Sequence, residues 1–405
     1  MIEVIATLFR WLQLASNMIL VGGCVFLAIA GSFHSPWVTR LERALPWLGF
    51  ILLAGLLGIL ATTTAQATGV PDNAWRIQAW FGLMQNTRMG HIWIGRAACA
   101  AVVLAIAYYL RYSPRARWKY LLCATAASIT LTVGALASHS AAEELSVVSI
   151  LPYALHIILA SVWFGALPAF LAVCFVCTEP DKVAKDSAVK DSAVKDSAVK
   201  DSVRPGIQTE TIARIHALFQ SREQAVAAGA QALKRFSAMA LPVMLAVIAT
   251  GIIITDRMVD ASYSGLVATR YGWLLDAKVA LLGVVLVIAA RARSTWLPLL
   301  AQGATGQSAS TDNQDNANAN LNQALASGQK LRKWVSFEFM LALGIVLLAT
   351  IVSNTVPAKH ALIQNWPYSF RFSLAATWGD PVVMTRVWSG VGLLAVGIAA
   401  AVFGR

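Results

Sequence analysis

The chain of 405 residues is 58% hydrophobic and only 13% charged, about half the charged share of a soluble domain, which excludes a soluble globular fold for most of its length. The net charge of +12 comes with no RNA- or DNA-binding motif; excess Lys and Arg in a membrane protein collect in cytoplasmic loops, so no nucleic-acid partner is expected. Apolar runs of roughly 20 residues, enough to span a bilayer core, recur along the chain, and the short alternating segments of a membrane barrel are missing.

These features predict an all-α, polytopic transmembrane helix bundle of about 8–9 spans set in membrane lipid. The candidate spans are 8–33, 44–66, 91–111, 118–138, 151–175, 236–256, 271–291, 334–354 and 385–403. The first run lacks a strongly basic start and a small-residue cleavage site, so it reads as a retained helix rather than a signal peptide. All five cysteines, Cys24, Cys99, Cys123, Cys174 and Cys177, fall in apolar runs, which argues against a disulfide framework.

Loop charges orient the bundle. The loop after the third span carries Arg111, Arg115, Arg117 and Lys119, whereas Ser138–Ile150 carries no Lys or Arg and holds Glu143 and Glu144. The positive-inside rule makes the first loop cytoplasmic and the second extracytoplasmic. Alternation then puts the N-terminus outside and the C-terminus in the cytoplasm. Arg40, Arg43, Arg291, Arg293, Arg332 and Lys333 fall on the inner side in this arrangement.

Beyond the fifth span, the tandem repeat "KDSAVKDSAVKDSAVKDSV" has a period that fits neither helix nor strand and reads as a low-complexity linker. "TETIARIHALFQSREQAVAAGAQALKRFS" reads as an amphipathic helix leading into the sixth span, with His216 solvated on it, and "GATGQSASTDNQDNANANLNQ" as a second low-complexity segment. The expected division is a five-helix half with outer-face histidines over 1–177, a cytoplasmic linker and amphipathic segment over 178–234, a three-helix core over 235–358 with an unstructured cytoplasmic loop at 300–330, and a periplasmic loop with a final span over 359–405.

That orientation gathers four of the six histidines at the outer face: His91, His139, His156 and His360, with Met84 and Met89 beside them. Imidazole suits copper, zinc, iron and nickel, and thioether selects copper(I). An ionisable group inside a span is a functional candidate by default, and His156 is the deepest of the set. The plainer reading is that each histidine hydrogen-bonds a carbonyl near the interface. Ligation of a b-type haem between histidines on facing helices is the other metal chemistry that spacing leaves open; covalent haem needs a C-x-x-C-H motif that the chain lacks. Further in, Trp163 follows His156 by one heptad on the same helical face, and Met239 and Met244 lie in the sixth span. Cys174 and Cys177 share a face at the inner end of the fifth span and could pass copper(I) onward. For all five, packing is the plainer role. Gln13 and Asn17 in the first span are polar groups able to bond between helices, and Arg96, Lys278 and Glu338 are charges within spans that need partners on other helices.

Four blocks then look familiar. "HIILASVWFGALPA" (His156 to Ala169), "RFSAMALPVMLAVIATGIIIT" (Arg235 to Thr255), "TRYGWLLDAKVALLG" (Thr269 to Gly283) and "LRKWVSFEFMLALGIVLLATIVSNTVPA" (Leu331 to Ala358) resemble, in order, the segments of the copper resistance protein D (CopD/PcoD) family. "GALASHSAAEE" resembles that family's Gly-His-Ala segment, with Ser138 in place of the glycine. The resemblance implies a multi-pass protein of the bacterial inner membrane that imports a copper ion, Cu(I) or Cu(II), with a periplasmic copper carrier of the CopC type as donor. Neither a Walker loop nor an Asp-Lys-Thr-Gly motif is present, so an ATP-driven pump and an enzyme are not expected. A cation moving inward gains about 2.3 kcal/mol per charge per 100 mV. A haem b electron-transfer protein or metalloreductase, and a scaffold that delivers copper without translocating it, remain the alternatives.

Overall fold

A computed structural model describes residues 2–31, 35–135, 146–178, 207–259, 264–299 and 314–360, with a few positions after 380; at 36, 135, 146–149, 177–178, 207–226 and 314–325 it describes the backbone path alone. The described residues form helices only: α1 (Ile2–Ala30), α2 (Pro36–Thr68), α3 (Ile77–Asn86), α4 (Arg88–Tyr112), α5 (Arg117–Ala135), α6 (Ser146–Thr178), α7 (Ile207–Val259), α8 (Ser264–Ala268), α9 (Arg270–Arg291) and α10 (Gln314–Val352). Short 3₁₀ turns follow α2 (Pro71–Ala74) and α10 (Ala358–His360), and α9 runs on through a π-turn, Ala292–Trp296.

Among the described residues, 7 helices are long and apolar enough to cross a membrane. The expected fourth span is the helix α5, which packs against α1, α4 and α6 but carries Arg117 and Lys119 in its first turn and is not one of the seven. The ninth expected span lies almost wholly outside the described residues, as do the Lys-Asp-Ser repeat and residues 300–313.

Local chemistry sets the helix ends. Pro36 opens α2, where a missing N–H costs nothing, and Gly69 closes it in the left-handed conformation (φ 69°). Thr87 and Thr269 start α4 and α9 by accepting hydrogen bonds from Gly90 N (2.9 Å) and Gly272 N (3.1 Å).

The helix α1 is the hub. Most of its positions from Ala15 to Ala30 are buried, as in a helix surrounded by others, and 72% of its most apolar stretch is buried, against 11% for α9. It packs against α2, α5 and α6. Its crossing with α6 rests on two glycines. A Cβ on Gly165 would lie 1.8 Å from Met18 O, and one on Gly22 would lie 2.4 Å from the backbone of Ser161 and Gly165. Small residues at such a crossing let backbones approach in lipid, where no hydrophobic force drives helices together. The glycine of the Trp-Phe-Gly-Ala-Leu-Pro motif is thus a packing residue.

Candidate functional site

The helix α6 carries His156 and aims it at α7. His156 Nδ1 lies 3.1 Å from Val247 O and 3.0 Å from Thr250 Oγ1. Thr250 Oγ1 is itself 2.7 Å from Ala246 O and 3.0 Å from Val247 O. Gly251 leaves room for the ring: a Cβ there would sit 3.4 Å from His156 Cε1. A carbonyl oxygen only accepts, so with Nδ1 protonated the ring donates to Val247 O, and Nε2 has no hydrogen-bond partner among the described residues. This is how the second ring nitrogen of a metal-binding histidine is held. Lys278 of α9 stands within electrostatic reach of the ring.

The other expected outer ligands are not drawn to His156. His91 is exposed on the first turn of α4, and His360 is exposed on the Ala358–His360 turn. Met84 is half-buried on α3, and Met89 is exposed at the mouth of a separate cavity. His139, with Glu143 and Glu144, lies outside the described residues. Among the described residues no three His, Cys, Asp or Glu side chains converge as metal ligands would.

Further along α6, Trp163 is 8% exposed and lines a small cavity of about 50 Å³ with Ser237, Arg293 and Glu338. Arg293 belongs to the π-turn, a distortion often found at functional sites, and its charge acts on the buried Glu338 carboxyl. Met244 is buried in the core, with Met239 packed against it. Cys174 is buried in the same core, while the side chain of Cys177 lies outside the described residues. Two other thiols are near enough to influence each other, Cys24 of α1 and Cys123 of α5, both 0% exposed. Sequence reasoning missed this pair; the signal was their equal depth in neighbouring spans, read from the same end of the bundle.

A larger cavity of about 380 Å³ opens where α1 begins, between α1, α2, α4, α5, α6 and α10. Two guanidiniums, Arg10 and Arg96, face it together with Gln13, Tyr153 and Asn354. Arg96 donates to Gln13 Oε1 at 2.6 Å, and Arg10 donates to Asn354 Oδ1. Asn17, one turn further along α1, is 0% exposed and has no hydrogen-bond partner at either amide atom among the described residues. Arg96 and Gln13 were legible as polar groups in spans; Arg10 was not, because near the chain start it reads as an ordinary flanking charge.

A multi-pass helix bundle with one oriented histidine, soft sulfur ligands and no nucleotide motif fits a metal-handling membrane protein. The comparisons name the metal. Residues 1–148 match the family model described as copper resistance protein D-like, N-terminal domain, and residues 230–352 match the one described as copper resistance protein D. Neither the curated proteins nor the solved structures hold a match to the chain. The two matched regions cover about two-thirds of its length and follow in order, so this multi-pass membrane protein belongs to the copper resistance protein D family.

Proposed function

We propose that the protein imports a copper ion across the bacterial inner membrane, with His156 as the central outer-face ligand and a CopC-type periplasmic carrier as donor. Membership of the copper resistance protein D family supports copper as the substrate. The observation that carries the reading is the held imidazole, with Nδ1 engaged by Val247 O and Thr250 Oγ1 and Nε2 without a hydrogen-bond partner among the described residues. The N-terminus lies outside and the C-terminus in the cytoplasm, on the strength of the Lys/Arg contrast between loops. His91, His139, His360, Met84 and Met89 then all belong to the outer side and are candidates for the first capture of the ion. Inward of His156, Trp163 and the cavity beside Glu338 line the next stretch, with Met239 and Met244 behind them. The buried thiols Cys24 and Cys123 supply two soft ligands suited to copper(I) and join Cys174 and Cys177 as candidates for the inner exit.

Copper accumulation in cells carrying wild type, His156→Ala or Trp163→Phe at equal membrane levels tests this reading. His156→Ala should cut accumulation at least about tenfold, the order expected for disturbing even an outer-shell partner of a metal, and Trp163→Phe should change it less. Wild-type accumulation with His156→Ala would remove His156 from the path. A stoichiometric Soret band in the purified protein would instead point to haem.

A further inference from the structure

We propose that the cavity between Arg10 and Arg96 is an oxyanion site, occupied by a carboxylate- or phosphate-type group that the described residues do not supply.

The argument starts from donor and acceptor accounting. Arginine only donates, so the oxygens of Gln13 and Asn354 must face Arg96 and Arg10, and both amide acceptors are thereby taken. The Asn354 amide nitrogen turns back to Thr350 O at 2.8 Å, and Trp93 Nε1 donates to Leu56 O at 2.7 Å. The hydroxyls of Thr63, Tyr153, Thr350 and Ser353 that line the cavity can both donate and accept, whereas the nitrogens left over only donate. Arg96 Nε and Gln13 Nε2 are buried without a partner among the described residues, and Gln13 is 3% exposed.

Charge gives the same answer independently. Tyr153 and, with the opposite sign, Arg10 act electrostatically on Arg96, and no Asp or Glu is among the described residues lining the cavity. An ion pair, Arg115 with Glu42, belongs to the other end of the bundle. Two like charges facing one cavity repel, and buried donors left unmade are costly. A single oxyanion answers both, because guanidinium forks match planar carboxylate and phosphate oxygens. At about 380 Å³ the space admits a small ligand or one headgroup. The source is either a free solute entering from the aqueous side or the phosphate of a membrane lipid.

The test uses the full chain, copper-free in nonionic detergent, titrated with inorganic phosphate at constant ionic strength and followed by calorimetry and thermal unfolding. A second arm compares unfolding in nanodiscs of phosphatidylglycerol and of phosphatidylcholine. A free-solute site predicts saturable phosphate binding that weakens at least tenfold in Arg10→Gln and Arg96→Gln but not in Arg88→Gln, an exposed cation on the same helix as Arg96. A lipid site predicts stabilisation by phosphatidylglycerol with the same dependence on Arg10 and Arg96. The absence of both effects overturns the proposal, as does an equal loss in Arg88→Gln. Gln13→Glu serves if the arginine variants fail to fold: a carboxylate built into the site should raise the unfolding midpoint and abolish phosphate binding. Unchanged phosphate affinity in folded Gln13→Glu would equally overturn it.

Discussion

The two ends of the bundle treat charge in opposite ways. Where α1 finishes, charges are answered by this chain. Arg115 pairs with Glu42 at 2.9 Å and donates to Thr39 Oγ1 at 2.7 Å, and the buried Tyr120 donates its hydroxyl to Glu42 at 2.5 Å. Lys119 reaches Pro114 O, and Arg235 donates to Ala30 O at 3.1 Å, where the carbonyl end of α1 carries partial negative charge. Gly31, at φ 71°, lets these groups close in: a Cβ there would lie 2.7 Å from Arg235 Nη1. Where α1 begins, by contrast, Arg10 and Arg96 face a cavity without a carboxylate among its described residues, and His156 Nε2 has no hydrogen-bond partner among the described residues. A closed set of charges locks helices together. An open set costs stability unless something binds there, so the open end is where function is to be sought.

Breaking the closed end should have the largest effect on stability. Glu42→Ala leaves Arg115 and Tyr120 without their shared acceptor and should cost about 3–5 kcal/mol, read as a drop in unfolding midpoint and in monodisperse yield. Gly165→Ala attacks the frame that both ends share by forcing α1 and α6 apart, and overpacking of this kind costs about 1–3 kcal/mol, measured in the same assay. At the open end, Thr250→Val removes one of the two groups that orient His156. It should weaken copper binding about tenfold and leave the unfolding midpoint close to wild type, since Val247 O still holds Nδ1. Arg88→Gln should be the quietest change, within about 0.5 kcal/mol, because that side chain is exposed on the first turn of α4. A large effect there would mean that general surface charge, and not the arrangement inside the cavity, governs the open end.

The helices were legible because burial in lipid forces long apolar runs and internal backbone hydrogen bonds. Seven helices fit the spans read from the sequence. What hydropathy does not carry is which helix sits in the middle. That depended on Gly22 and Gly165, whose lack of a side chain is felt only when another backbone arrives. The site was legible at His156, since an imidazole inside a span must have a reason. Its partners were not, because Val247 contributes a carbonyl, a group present at every position. The convergence of His91 and His360 with His156 was inferred from a shared face of the membrane, and a shared face fixes depth but not distance. Cys24 with Cys123, and Arg10 with Arg96, are pairs made by neighbouring helices far apart in the chain, and no spacing rule reaches them.

The central claim is that His156 at the open end holds copper without holding the fold. Its most direct test is the copper retained by purified protein after equilibrium dialysis, in wild type and His156→Ala, with thermal unfolding of the same samples. The account predicts that His156→Ala loses bound copper while its apo form unfolds at the wild-type temperature. Equal copper in both proteins would contradict it.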